Sequence, residues 1–100
     1  NTQFQLANLA TEVEAAKLLV YRAAEAKRTK DRFSVEAAQA KLFAAETAMN
    51  VTTKCVQLLG GYGYIREYEV ERMMRDAKIT EIYEGTSEVQ RMVISGDLLK

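Results

Sequence analysis

Apolar residues recur every three or four positions along most of this chain, and each run of them predicts a helix. Leu6, Leu9, Val13, Ala16, Val20 and Ala23 fall on one helix face, while Glu12, Glu14, Lys17, Arg22, Glu25 and Arg28 fall mostly off it. The pattern predicts a first helix from about Phe4 to about Lys30, capped by Asn1 or Thr2 and roughly 40 Å long. The charged run from Ala26 to Arg32 reads as a solvated helix end and turn. A basic binding patch is the lesser alternative there, because acids flank the run. Ser34 reads as the next cap, with Glu36 in the first turn. Val35, Ala38, Leu42, Ala45, Met49, Thr52, Val56 and Leu59 then keep the same rhythm and are the cleanest periodic signal in the chain. Their alanines leave room for a close neighbour, so the two long helices are expected to pack side by side. Met49 and Cys55 read as packing residues.

Gly60 and Gly61 are expected to end the second helix as a C-cap pair. Val70, Met73, Met74 and Ala77 mark a short third helix, with Glu71 and Arg75 as an i, i+4 pair and Arg75 and Asp76 on its surface. A last helix starts near Ser87, with Val89, Met92, Val93 and Leu98 or Leu99 as its apolar face, and Gly96 interrupts or ends it. The expected fold class is all-α: an antiparallel helical bundle of two long helices and two shorter ones.

Composition narrows the function. One hundred residues make one domain at most, and 48% apolar with 28% charged residues is the balance of a globular chain. The charges sum to zero, which argues against a nucleic-acid module or a polybasic membrane-surface segment. There is no histidine, so histidine metal sites and histidine-dependent nucleophile pairs are excluded within the chain, and no metal site is expected. The single cysteine, Cys55, has no internal disulfide partner and fits a reducing compartment. No apolar run is long enough to span a membrane, and no internal repeat, linker or low-complexity tract is present.

Two stretches carry candidate chemistry. The first, Gly60 to Glu69, is glycine- and tyrosine-rich. It lacks the lysine and Ser/Thr of a P-loop and the third glycine of a dinucleotide turn, and it follows a helix. Its glycines read as cap and turn. Tyr62, Tyr64 and Tyr68 with Arg66 suggest either base stacking or, better matched to zero net charge, packing of the loop onto the bundle. The second stretch is IYEGTSEVQR, Ile82 to Arg91. It sets Glu84 on a glycine turn directly before a helix start. Gly85 permits a backbone shape that a side chain resists. Ser87 and Gln90 spell a capping box, and Glu88 at the first helical position suits the positive end of the helix dipole. Glu84 is either a solvated loop acid or an acid aimed by a rigid helix, as catalytic groups tend to be.

The residues QLLGGYGYIREYEVERMMRDAKITEIYEGTSEVQRMVI, Gln57 to Ile94, resemble the C-terminal helical domain of the acyl-CoA dehydrogenases. TEVEAAKLLVYRAA, Thr11 to Ala24, resembles the family's first long helix in this region, so the resemblance covers almost the whole chain. It is most similar to the short-chain, butyryl-CoA branch. Family proteins are several times longer, so residues 1–100 look like a fragment of the C-terminal four-helix-bundle-type domain. The domain's first helix, the β domain and the N-terminal domain would lie upstream.

The resemblance implies FAD-dependent α,β-dehydrogenation of a short-chain acyl-CoA thioester to the 2-enoyl-CoA, with Glu84 as the base that removes the α-proton. The thioester carbonyl must be polarised as its oxygen gains charge. In the family the donors are a flavin ribityl hydroxyl and the backbone N–H of the base, here Glu84. A water-poor pocket is expected to raise the Glu84 pKa and make it a better base. Gln57, Leu58, Leu59, Gly60 and Gly61 match a segment that contacts the FAD adenosine-pyrophosphate region across a subunit interface. Thr86, Ser87 and Glu88 match a second FAD-contacting segment at a helix start. Tyr83 and Gly85 match residues lining the acyl-thioester pocket. Two positions depart from the family pattern: Glu88, where glutamine is common, and Glu69, where proline usually opens the short helix. The implied partners are acyl-CoA, an electron-transferring flavoprotein and further copies of the chain in a dimer or tetramer. The implied location is bacterial cytoplasm or the mitochondrial matrix. By the same reading the isolated chain is inactive. The competing expectation is a non-enzymatic helical oligomerisation or interaction module derived from this fold, although a bundle that needs only packing has no use for both the GGYGY and YEGTS segments.

Overall fold

Alanine sets the architecture, because two helices lined with small side chains approach closely along their length. The computed structural model describes every residue from Asn1 to Lys100. In order, the helices are α1 (Thr2–Thr29), α2 (Ser34–Leu59), α3 (Gly61–Tyr64), α4 (Val70–Thr80) and α5 (Ser87–Leu98). The fold is the expected all-α bundle of two long and two shorter helices. The addition, α3, is a single turn inside the glycine loop, too short for periodicity to signal.

Polar bonds between α1 and α2 fix their direction. Asn50 donates to Glu12, Arg22 donates to Gln39 and Lys30 donates to Glu36, each at 2.8 Å. Numbers rise along one helix as they fall along the other, so the pair is antiparallel. Leu9, Ala16 and Ala26 of α1 and Ala38, Ala40 and Ala45 of α2 are buried between or beside the helices. Helix α2 is the hub: it touches α1, α3, α4 and α5, whereas α1 touches α2 alone.

Several local expectations are corrected. Only Leu9 and Ala16 of the α1 stripe are buried, Ala23 is half-buried, and Leu6, Val13 and Val20 are exposed, because α1 has one neighbour and its stripe is wider than that contact. Ser34 is the first helical residue of α2, not its cap; Phe33 precedes it and makes no side-chain cap bond. Asn1 holds the α1 cap position without a side-chain bond. Gly60 ends α2 at φ 63°, but Gly61 opens α3 and is not a second cap. Gly63 is the tight position of this loop: a Cβ there would lie 2.5 Å from the Val56 carbonyl oxygen. The tyrosines do not pack onto the bundle. Tyr62 and Tyr68 meet edge to face at 5.8 Å, and all three loop tyrosines stay exposed. Helix α5 runs through Gly96, and its expected apolar face at Val89, Met92 and Val93 is exposed, while Ile94 is half-buried.

The exposed faces leave 7330 Å² of accessible surface. A free monomer of 11.3 kDa is expected to show about 5,700 Å². The excess is rich in Phe, Leu, Tyr and Met side chains, the chemistry of surfaces that pack against other protein. No helix is long and apolar enough to cross a membrane.

Candidate active site

Residues 81–86 link α4 to α5, and their backbone bonds are closed at both ends and open in the middle. The Tyr83 N–H donates to Ile79 O at 3.0 Å, and the Ser87 N–H donates to Glu81 O at 3.1 Å. Between them, the N–H groups of Glu84, Gly85 and Thr86 have no acceptor in the chain. Three consecutive unpaired N–H groups ahead of a helix make a ready receptor for an oxygen that carries negative charge. Glu84 has φ 56° and is the one non-glycine residue with positive φ; Gly85 follows at 94°. The left-handed region costs a side chain roughly 1–2 kcal/mol, so the surrounding contacts must hold Glu84 there.

The helix start is displaced by one residue from the sequence expectation. Thr86, not Ser87, is the N-cap of α5, and its Oγ1 accepts from the Val89 N–H at 3.2 Å. Glu88 is therefore the second helical residue, not the first. Gln90 does not close a capping box; its Nε2 reaches back to the carbonyls of Glu84 and Gly85, both at a long 3.4 Å. Ser87 is buried and its hydroxyl has no partner.

Beside this turn lies a cavity of about 390 Å³, lined by Lys41, Ala44, Ala45, Ala48, Thr80, Tyr83 and Glu84. Small-molecule sites commonly occupy about 300–1,000 Å³. Alanines of α2 form the apolar wall, and Glu84 supplies the acid. Glu84 itself is exposed, so the water-poor surroundings expected for it are not built by these residues alone.

The expected site residues divide into two groups in space. Tyr83 and Glu84 share the cavity, with Gly85, Thr86, Ser87 and Glu88 next along the chain. Gln57, Leu58, Leu59, Gly60 and Gly61 lie at the far end of α2, roughly 20 Å from Ala45 along the helix axis. The single chain does not bring the two groups together. Each has features that fit an extended, phosphate-bearing cofactor such as FAD. A Cβ on Gly60 or Gly61 would meet nothing within 4 Å, so that bend is open to close backbone approach. The other group offers the unpaired N–H run at a helix start.

Sequence reasoning missed Lys41. Its ammonium donates to Thr80 O at 3.0 Å and to Gly85 O at 2.7 Å, joining α2 to both ends of the turn. The available signal was its position: Lys41 is three residues after Ala38 and four before Ala45, a charge directly beside the alanine stripe. Farther along, Arg91 of α5 pairs with Glu46 of α2. No cluster of metal-ligating side chains is present.

Comparison with known proteins agrees with this architecture. Residues 1–99 match the family model for the acyl-CoA dehydrogenase C-terminal domain. The chain is 59% identical over 97 residues to a short-chain-specific acyl-CoA dehydrogenase of Clostridium acetobutylicum, covering 97% of this chain and 26% of that protein. It is 56% identical over 97 residues to a subunit of the caffeyl-CoA reductase–Etf complex of Acetobacterium woodii, with the same coverage of 97% and 26%. The solved butyryl-CoA dehydrogenase of Megasphaera elsdenii superposes with a TM-score of 0.95 at 56% identity, over 98% of this chain and 26% of that one. The chain thus spans about a quarter of the length of the relatives it matches. On this match, which runs from the first residue to the last but one, the chain belongs to the acyl-CoA dehydrogenase family and corresponds to its C-terminal helical domain.

Proposed function

We propose that this chain is the base-bearing domain of an FAD-dependent enzyme that dehydrogenates short-chain acyl-CoA thioesters, with Glu84 as the base. The observation that carries the reading is the Glu84 backbone: held at φ 56°, it presents an unpaired N–H and a carboxylate from one residue at the edge of an apolar cavity. An α-proton next to a thioester is too weakly acidic for a free carboxylate. Charge that develops on the thioester oxygen must be met as the proton leaves, and the unpaired Glu84 N–H is a donor suited to that role. The carboxylate of the same residue takes the proton, a role worth about a hundred- to ten-thousand-fold in rate. FAD, held by the two segments named below, would supply the acceptor for the β-hydrogen and its electron pair. Tyr83 and the alanines of α2 supply an apolar wall suited to a short acyl chain.

Thr86, Ser87 and Glu88 form one candidate FAD contact, and Gln57 to Gly61 form another. Because the first lies at the start of α5, beside the middle of α2, and the second at the far end of α2, the second is best used by a cofactor held between copies of the chain, so a homo-oligomer is part of the proposal. The exposed apolar faces of α1 and α5 support it. An electron-transferring flavoprotein is the proposed electron partner; one relative is named as part of an Etf complex. That relative is named a reductase, and the same base and donor serve the reverse reaction, in which Glu84 returns a proton to the α-carbon. Glu84 stands exposed in this domain by itself, without the water-poor surroundings its role as base requires, so the isolated domain is expected to be inactive.

The test is Glu84→Gln in the flavin-loaded enzyme that carries this domain, mixed anaerobically with butyryl-CoA. Flavin content is expected to be unchanged and flavin bleaching to slow by about a hundred- to ten-thousand-fold. Bleaching at the unmodified rate removes Glu84 from the reaction. An enzyme that binds no FAD on titration favours the interaction-module reading.

A further inference from the structure

We infer that Lys41 is the positioning residue for Glu84: its ammonium clamps both ends of the turn to α2 and so holds the base in its left-handed conformation. The inference rests on the reading of Glu84 as the base. Lys41 and Gly85 are 44 residues apart, yet their Nζ–O distance is 2.7 Å, and the same ammonium meets Thr80 O at 3.0 Å. Thr80 ends α4 and Gly85 follows Glu84, so the two accepted bonds bracket the turn. Bonds from a charged donor are stronger than those between neutral groups. The clamp is anchored on α2, the helix that every other helix touches.

The backbone bonds Tyr83 N–H to Ile79 O and Ser87 N–H to Glu81 O close the turn on either side of Glu84 and Gly85, and the other side-chain restraint on these two residues is weak. Gln90 reaches Glu84 O and Gly85 O only at 3.4 Å. Without the ammonium, the carbonyls of Thr80 and Gly85 lose their charged donor, and the strained Glu84 can relax toward negative φ within the loop that Glu81 O and the Ser87 N–H close. That one rotation displaces two groups at once, because the carboxylate and the oxygen-polarising N–H belong to the same residue. The helices have contacts other than the clamp: α4 and α5 each pack against α2, and Arg91 of α5 also pairs with Glu46 of α2. Removing the ammonium is therefore expected to misplace the chemistry and leave the fold and cofactor in place.

The experiment uses the flavin-loaded enzyme and an acyl-CoA whose β-carbon is replaced by sulfur. This analogue can lose and regain an α-proton but carries no β-hydrogen to transfer. Exchange of its α-hydrogens with deuterium from heavy water, followed by mass spectrometry, reads the base alone. In Lys41→Met, exchange is expected to fall by about ten- to a hundredfold, the scale of a small misplacement of reacting groups. Flavin content and analogue affinity are expected to stay within about twofold. A shorter neutral donor, Lys41→Gln, is expected to fall between Lys41→Met and the unmodified enzyme, and it decides the question by the same criterion if Lys41→Met holds no flavin. Unmodified exchange in a flavin-loaded Lys41 variant overturns the proposal. So does a loss of exchange matched by an equal loss of flavin or of analogue affinity, which makes Lys41 a general stabiliser. Glu84→Gln run alongside separates the two readings: if it too exchanges normally, the base assignment has failed; if it alone is silent, only the clamp has.

Discussion

Glu84 and Gly85 stand side by side at φ angles of 56° and 94°, so the chain turns left-handed for two residues at the point where the acid emerges. For Gly85 this is inexpensive; for Glu84 it is strain that the surrounding contacts must offset. Gly85→Ala extends the strain to both. The added Cβ would also lie 2.7 Å from Gln90 Nε2, which can swing away because it is the end of a flexible side chain. The expected loss is about 1–2 kcal/mol, dominated by the backbone angle and read as a lower urea midpoint. An unchanged midpoint would mean the turn is free to adopt another shape.

The register of the α5 cap is tested by two neighbouring substitutions with opposite outcomes. Thr86→Ala removes the acceptor of the Val89 N–H and is expected to cost about 1 kcal/mol. Ser87→Ala removes a buried hydroxyl that has no partner and is expected to be neutral or slightly stabilising. Thermal unfolding of the two variants settles the matter; the reverse order restores Ser87 as the cap.

Glycines with and without room separate in the same way. Gly63→Ala forces a Cβ to within 2.5 Å of the Val56 carbonyl oxygen and 2.9 Å of its Cα, backbone atoms that cannot step aside. A loss of about 1–3 kcal/mol is expected, as for other overpacked positions. Gly96 lies inside α5 with nothing within 4 Å of a new Cβ. Gly96→Ala is expected to raise stability by about 1 kcal/mol through helix propensity. Equal effects at the two sites would refute the close packing of α3 on α2.

Acid should weaken the bundle through two carboxylates. Glu36 accepts a hydrogen bond from Lys30, and Glu71 accepts one from Arg75; each partner holds its glutamate below the ordinary value of 4.5. Between the folded and unfolded pKa values the unfolded chain binds more protons, so stability rises with pH there. The contribution is complete above 4.5 and is lost as pH falls through the lowered folded values. Urea midpoints from about pH 5 down to about pH 2 should fall less steeply in a Glu36→Gln, Glu71→Gln double variant than in the unmodified chain. Parallel curves would show that neither pair survives in solution.

The long helices were readable because a period of 3.6 needs only local order: residues seven apart share a face whatever else the chain does. The α2 stripe shows this well. It runs on the hub helix, and of its eight positions only Leu59 is exposed. The α1 stripe shows the limit, since how much of an apolar face is buried depends on how many neighbours arrive. Ser87 shows a second limit. Thr86 and Ser87 are chemically near-equivalent caps, and the choice between them followed from where the turn placed the chain. The YEGT acid was visible as a motif; its positive φ, its unpaired N–H and its clamp were not. Lys41 and Gly85 are 44 residues apart, and no periodicity relates them. Sequence alone determined which segments coil and which residue types stand at the turn, because those depend on neighbours a few residues away. The tertiary structure decided which lysine grips that turn and how Glu84 is held, because both depend on α2 meeting the end of α4, a contact made only when the chain folds back on itself.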